Sequence, residues 1–401
     1  MALSQYVILR LSSNAALRLA DDGLKVGSKA AGAGTAFSDE IKVETAELTK
    51  REINELSRDR DVKSVAPNIP MKLYEPVERE ELTAADKSTA TWGITAIGAD
   101  QSPFTGHGVT VAVLDTGIDS GHVAFNGIEV VQKDFTAEGN GDENGHGTHV
   151  AGTIFGRAVE GTRIGIASGI EKALVGKVLG KKGGGTTGMI TDAIQWALQN
   201  GANIISMSLG MDFPGYVNQL VGMGYPADLA TSVALEGYRA NLNLFNTMGT
   251  LVRNLGEFLQ PAIVVAASGN ESRRDIDPDY EIAAAPPAAA DGILAVGALE
   301  KRDDLLAVAR FSNTKPDITA PGVNIVSAGS GGGLRRFSGT SMATPHVAGV
   351  AALWAEKLID TGLLTSKNLA AKLIAGATLD GFIEDVDPLD AGMGIVQAPS
   401  A

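Results

Sequence analysis

The sequence predicts an α/β protein whose mostly parallel central sheet carries helices on both faces, preceded by a small α+β domain. Three observations predict it. From Trp92 onward, apolar runs such as "VTVAVL", "NIISMSL", "AIVVAAS" and "GILAVGAL" recur, with helical patterns between several of them. A strand without a polar face needs cover on both sides, as in parallel sheets. Before Trp92 the pattern differs, with short strands around one helix. Finally, 401 residues at 44% hydrophobic and 20% charged supply one large core and a small one.

In chain order, Tyr6–Leu11 reads as a strand. The opening "MALSQYVILRLSSNAALRLADDG" does not read as a secretory leader: its apolar run is short, Arg10 interrupts it and no basic segment precedes it. That favours the cytoplasm, or export if a leader has been removed. An Ala/Gly-rich stretch, "GSKAAGAGTAFSDE", precedes a strand near Ile41–Thr45. "TKREINELSRD" reads as a helix. Thr49 and Glu52 stand in capping-box spacing, and Ile53 and Leu56 form an apolar face with Leu48. "VKSVAP" and "MKLYEP" close residues 1–77 as short strands, an open α+β sandwich of the ferredoxin-like kind. Residues 78–91 are polar and without apolar period, hence a linker. Residues 92–401 form the large domain.

Net charge is −14 and the isoelectric point is near 4.9, which argues against nucleic acid or an anionic membrane as partner. The absence of cysteine excludes disulfides, thiolate zinc sites and a cysteine nucleophile. No apolar run approaches the ~18–20 residues that span a bilayer.

Three motifs and one asparagine end or follow the apolar runs. In "VTVAVLDTGIDSGH", Asp115 sits at the carboxyl end of a buried strand, where a carboxylate must be paired or hydrogen-bonded. It is either a turn cap or the orienter of a histidine. In "NGHGTHVAGTI", His146 lies between two glycines, so a substrate can approach closely. His149 follows one helical turn later. The pair lacks the spacing and the glutamate of a zinc-protease helix, so His149 reads as a satisfied buried histidine and no metal is expected. In "AIVVAASGNES", Asn270 is either a turn residue or an amide donor to an oxyanion. In "GTSMATPHVAGVAALWAEKL", an all-round apolar helix opens on Ser341, which is either a helix cap or a nucleophile backed by the helix's positive end.

In the order Asp115, His146, Asn270, Ser341, the strings "DTGID", "HGTHVAGT", "ASGN" and "GTSMATPHVAGVAAL" resemble the subtilisin family of serine endopeptidases. The resemblance spans roughly 92–398 and includes "PDITAPGVNIVSA" and "GMGIVQA". It implies Ser341 as nucleophile, His146 as general base and acid, and Asp115 as orienter of the imidazole. The Asn270 amide and the Ser341 backbone N–H would hold the oxyanion. Thr340 and Met342 would be positioners. A catalytically silent protein that keeps the fold for binding is the competing reading, and a serine-directed probe separates the two. Residues 1–77 resemble the family's inhibitory propeptide, which implies an intramolecular inhibitor and a self-cut between about Tyr74 and Trp92.

The resemblance also implies where protein or peptide substrates lie. "GKKGGGTTG" lacks phosphate-loop spacing. In this family it is an edge strand, and Gly183, Gly184 and Gly185 leave that edge bare. Ser208, Leu209 and Gly210 would form the facing edge, so that a peptide binds by strand addition. Ser208–Gly210 with Ala266, Ala267, Ser268 and Gly269 would wall the pocket for the residue before the cut. None of these is charged, which predicts medium or large apolar residues there. No cofactor is required. Calcium is bound by many relatives, but Ala124 and Val159 stand where they use oxygen-bearing side chains, so the usual tight site looks lost. Residues 211–262 form an extended insertion beside the pocket. Leu229, Val233, Leu242, Phe245, Met248, Leu251, Val252, Leu255 and Phe258 give it apolar helical faces. It is either an enlarged form of the family's own helix at this point or an elaboration that gates substrates, and Gly215, Gly222, Gly224 and Pro226 predict a mobile, lid-like loop at its start.

Overall fold

The computed structural model describes residues 4–11, 41–81, 89–257 and 260–400. The whole Ala/Gly-rich stretch, residues 82–88 of the expected linker, and Phe258 lie outside the described residues. Strands β1 (Ser4–Leu11), β2 (Ile41–Leu48) and β3 (Val62–Pro67) form an antiparallel sheet in the order β2-β1-β3. Helix α1 (Lys50–Leu56) connects β2 to β3 and starts with the full Thr49–Glu52 capping box.

Two strands that follow join neither this sheet nor the central one. β4 (Pro70–Leu73) and β5 (Glu78–Glu81) lie in different places on the larger domain. The expected linker is therefore partly wrong: residues 78–81 are a strand. A run charged throughout suits an added edge strand as well as a loop, because only its backbone has to pair.

The central sheet uses β6 (Val111–Asp115), β7 (Glu129–Asp134), β8 (Lys172–Lys177), β10 (Ile204–Met207), β12 (Ile263–Ala267), β13 (Ile293–Arg302), β14 (Leu305–Val308) and β15 (Ile318–Pro321). Its path is β14-β13-β12-β10-β6-β8-β7, with β15 on β13, and every pair is parallel except β13–β14. This is the α/β fold expected. Alternate residues of β6 serve opposite faces: Val111 and Val113 join one core, Ala112 and Leu114 the other. From β6 the chain runs to the edge strand β7 and returns to β8 beside β6, then crosses to the other side and works outward through β10, β12 and β13. The carboxyl ends of β6 and β10 therefore flank a crevice where the order reverses, the usual place for a site in an open sheet.

Around that crevice stand helix α2 (His146–Phe155), β9 (Gly184–Thr186), helix α3 (Thr187–Gln199) and β11 (Leu209–Met211). The insertion follows β11 as α4 (Phe213–Gly222) and α5 (Ala227–Leu255). The expected lid loop is a helix over Phe213–Gly222 and a short turn over residues 223–226. Asp212 caps the helix through the Gly215 N–H, and Pro214 pre-sets the first turn. Phe213, Tyr216, Val217 and Leu220 then pack on Ala230, Val233 and Ala234. Glycines inside a helix cost only about 1 kcal/mol each, and this packing offsets them. The sheet hairpin β16 (Ile325–Ala328) and β17 (Leu334–Ser338) precedes helix α6 (Thr340–Asp360), which is buried along nearly its whole length.

The N-terminal sheet packs directly on the larger domain. Val7, Leu9, Leu11, Ile41 and Ala66 share one core with Ile190 and Ile194 of α3 and Leu244 and Phe245 of α5.

Candidate active site

Asp115 is the last residue of β6 and His146 the first of α2. Both are fully buried, and the Asp115 carboxylate lies 2.8 Å from His146 Nδ1. Asp115 Oδ1 also accepts the Thr116 N–H at 2.8 Å, which holds the carboxylate still. With Nδ1 donating to the carboxylate, Nε2 is the nitrogen left to take a proton. It is buried and has no hydrogen-bond partner among the described residues.

Asp142, which the motif reading missed, ties these two elements together. One of its oxygens accepts from Thr116 Oγ1 and the Gly145 N–H, both at 2.8 Å. The other accepts the Thr148 N–H at 2.8 Å and Thr148 Oγ1 at 2.6 Å. Thr116 Oγ1 in turn accepts the Gly147 N–H. The available signal was an acid four residues before His146 in a Gly/Asn-rich turn, a composition shared by many ordinary loops.

Ser341 is the second residue of α6, after an extended Gly339. Pro345 has no N–H, so the Ser341 carbonyl lacks its usual helical donor. Ser208 Oγ donates to that carbonyl instead, at 3.4 Å. Asn270 follows β12. Its Oδ1 accepts from the Thr340 N–H and Thr340 Oγ1, both at 2.8 Å. Two donors on one atom identify it as the amide oxygen and aim the NH₂ into the crevice.

The crevice holds the chain's own strand. β4 runs antiparallel between β11 and β9, with Lys72 opposite Gly210 and Gly184, and Met71 opposite Met211 and Gly185. The Leu73 N–H donates to Gly183 O at 2.8 Å and the Tyr74 N–H to Ser208 O at 3.3 Å. Ser341 Oγ donates to the Tyr74 carbonyl at 3.0 Å, and Asn270 Nδ2 to the next carbonyl, Glu75 O, at 3.0 Å. The Tyr74 side chain is buried over Gly210, where any Cβ would overlap its ring and hydroxyl. Beyond the serine, the Val77 N–H donates to Ser338 O and β5 pairs with β17.

Residues 106–391 match the model of the Subtilase family of peptidases. The chain belongs to that family. It is similar to the thermostable alkaline protease of Halalkalibacterium halodurans, 34% identical over 79% of this chain and 73% of the relative. It is also similar to the M-protease of Shouchella clausii, at 33% over 79% and 70%. Subtilisin Savinase of Lederbergia lenta is 35% identical over 66% of this chain and 84% of the relative. The subtilase is a serine endopeptidase, a hydrolase whose substrates are proteins or peptides.

Other expected site residues of the subtilase lie as follows. Ala266 and Ala267 end β12, and the Ser268 N–H continues its ladder to Val296 O. Gly269 adopts φ +115°, and the space a Cβ would take is filled by Asn313 and Glu271. His149 is buried, hydrogen-bonds the Ile325 and Arg335 carbonyls and stacks on Phe337. Burial, then the nearby His146, lowers its pKa to about 3. Ala124 and Val159 are both buried in the core, and neither carries a side-chain oxygen. The neighbouring Arg157 guanidinium donates to the Ser168 and Ile170 carbonyls. No helix among the described residues is long and apolar enough to cross a membrane.

Proposed function

We propose that this subtilase is made as a precursor that cuts its own Tyr74–Glu75 bond and then hydrolyses other chains by the same chemistry. The observation that carries the reading is the seating of β4, with the Tyr74 carbonyl 3.0 Å from Ser341 Oγ. For attack, the Ser341 hydroxyl turns from the carbonyl oxygen to His146 Nε2 and gives it the proton as Oγ bonds to the Tyr74 carbon. The former carbonyl oxygen becomes an oxyanion, held by the Ser341 N–H at the positive end of α6 and by Asn270 Nδ2, which shifts to it from the adjacent Glu75 O. Asp115 stabilises the imidazolium. His146 returns the proton to the Glu75 nitrogen, the C–N bond breaks, and an ester to Ser341 remains. Water, deprotonated by His146, cleaves the ester and frees the Tyr74 carboxylate and the serine.

The hydrogen bonds of β4 use backbone, so other sequences fit the same edges. The pocket over Gly210 takes a large flat side chain. The Tyr74 hydroxyl has no hydrogen-bond partner among the described residues, and burial raises its pKa well above the ordinary value. Phenylalanine or leucine would avoid that unpaired group. Until it dissociates, the N-terminal unit occupies the crevice as a product-like inhibitor.

The test is mass spectrometry of the purified full chain beside Ser341→Ala. The parent chain yields a fragment beginning at Glu75, carries a serine-directed probe on Ser341 and hydrolyses peptides. Ser341→Ala stays whole at 41.3 kDa. Persistent hydrolysis in Ser341→Ala removes the nucleophile assignment, and a stable uncut parent removes the self-processing.

A further inference from the structure

We infer that the crevice selects a basic residue at the third position before the cut bond, through Asp212 and Glu271. This rests on the endopeptidase reading of the crevice and on the register that places Tyr74 immediately before the cut. In that register Lys72 is the third residue. Along β4, Met71 and Leu73 turn into the core, as a strand's alternation requires, and Lys72 faces the other way. Its ammonium lies 3.3 Å from Asp212 Oδ1 and 3.2 Å from Glu271 Oε1. One carboxylate therefore comes from each wall of the crevice, Asp212 just beyond β11 and Glu271 just beyond Asn270.

Both carboxylates are positioned by the larger domain itself. Asp212 accepts the Gly215 N–H as the cap of α4. Glu271 uses Oε2 for the Asn270 N–H at 2.9 Å and Asn313 Nδ2 at 2.8 Å, which leaves Oε1 for the lysine. Arg273, the nearby cation in sequence, donates to the Asn270 and Ser272 carbonyls. When β4 leaves, two fixed negative charges remain facing the position its ammonium held. A lysine in a substrate restores both pairs, glutamine restores neither charge contact, and glutamate adds repulsion. All three side chains are about one-third exposed, so the discrimination is modest and salt-sensitive.

The test uses the self-processed protein and fluorogenic peptides Met-X-Leu-Tyr followed by a reporter amide, with X lysine, glutamine or glutamate. Lysine should exceed glutamine in kcat/KM by about five-fold at low salt, as expected for two partly exposed ion pairs, with glutamate lowest. The ratio should shrink at about 1 M salt. In Asp212→Asn/Glu271→Gln, whose amides keep the cap and the Asn270 contact, the lysine-to-glutamine ratio should approach one. Equal rates for lysine and glutamine in the parent, or a lysine preference that survives in the double variant, overturn the inference alone. If no peptide of the series is cut, the endopeptidase reading of the crevice fails first, and this inference with it.

Discussion

Asn270 shows how a single residue is prepared by its neighbours. Thr340 spends its backbone N–H and its hydroxyl on the amide oxygen, so the amide nitrogen points at the seated segment, onto Glu75 O. Asn270→Ala should therefore lower kcat with little change in KM, because the donor matters most once the carbonyl oxygen carries charge. The expected loss, about 10²–10³-fold, is the established value for such a donor in subtilisin rather than one calculated from these distances. Steady-state kinetics on a peptide ending in tyrosine checks it. A rise in KM at constant kcat would make Asn270 a ground-state contact instead. The motif reading picked out Asn270, Asp115, His146 and Ser341 because each sits at a recognisable string. Asp142 escaped it because its role depends on four donors from three residues, Thr116, Gly145 and Thr148, one of them at a distant strand end.

At the scale of elements, the insertion acts as a platform. Asn241 of α5 is buried and donates to Pro67 O, at the end of β3, at 3.0 Å. Gly237, one turn earlier, lies beneath Pro67 and Ile69. A hydrogen bond of this kind is worth about 1 kcal/mol, or roughly five-fold in an equilibrium. Asn241→Ala should loosen the N-terminal unit and shorten the lag before peptide hydrolysis appears in freshly folded protein. An unchanged lag would mean that α5 supports the core without restraining that unit. The helical pattern of 227–255 was legible from its apolar spacing. The start of the insertion was not, since glycine and proline report local preference while a cap and a facing helix decide the outcome.

Across the whole molecule, stability should depend on pH through its buried histidines. Burial, then His146, lowers His149 to about 3, and burial lowers His346 to about 4. Both are neutral in the folded chain near neutrality, whereas in the unfolded chain they take protons near 6.5. The unfolded state thus binds more protons below pH 6.5, and stability falls as pH drops from there toward the folded values. Each histidine contributes up to about 1.4 kcal/mol per pH unit. Asp390 opposes this: burial raises its carboxyl to about 6 despite Arg274, so it binds a proton first in the folded chain as pH falls. Thermal unfolding of Ser341→Ala between pH 7 and 5 should show Tm falling, with a shallower fall in Ser341→Ala/His346→Gln. Equal slopes in the two proteins would show that His346 is not held neutral.

The sequence by itself determined the layered parallel sheet, because strands such as "IVVAA" have no face that tolerates water. It also determined the family and the residue types at the crevice, because those strings combine glycine, hydroxyl and imidazole in an order unrelated to core packing. The resemblance already implied an inhibitory first domain; only the tertiary structure decided the register in which its strand sits in that crevice, that residues 78–81 extend a distant hairpin, and that Lys72 meets Asp212 and Glu271. Those are pairings between segments far apart along the chain. A polar strand, a lysine or a lone acid carries no local mark of its partner, since the energy that selects it arises only when the cores have brought the two together.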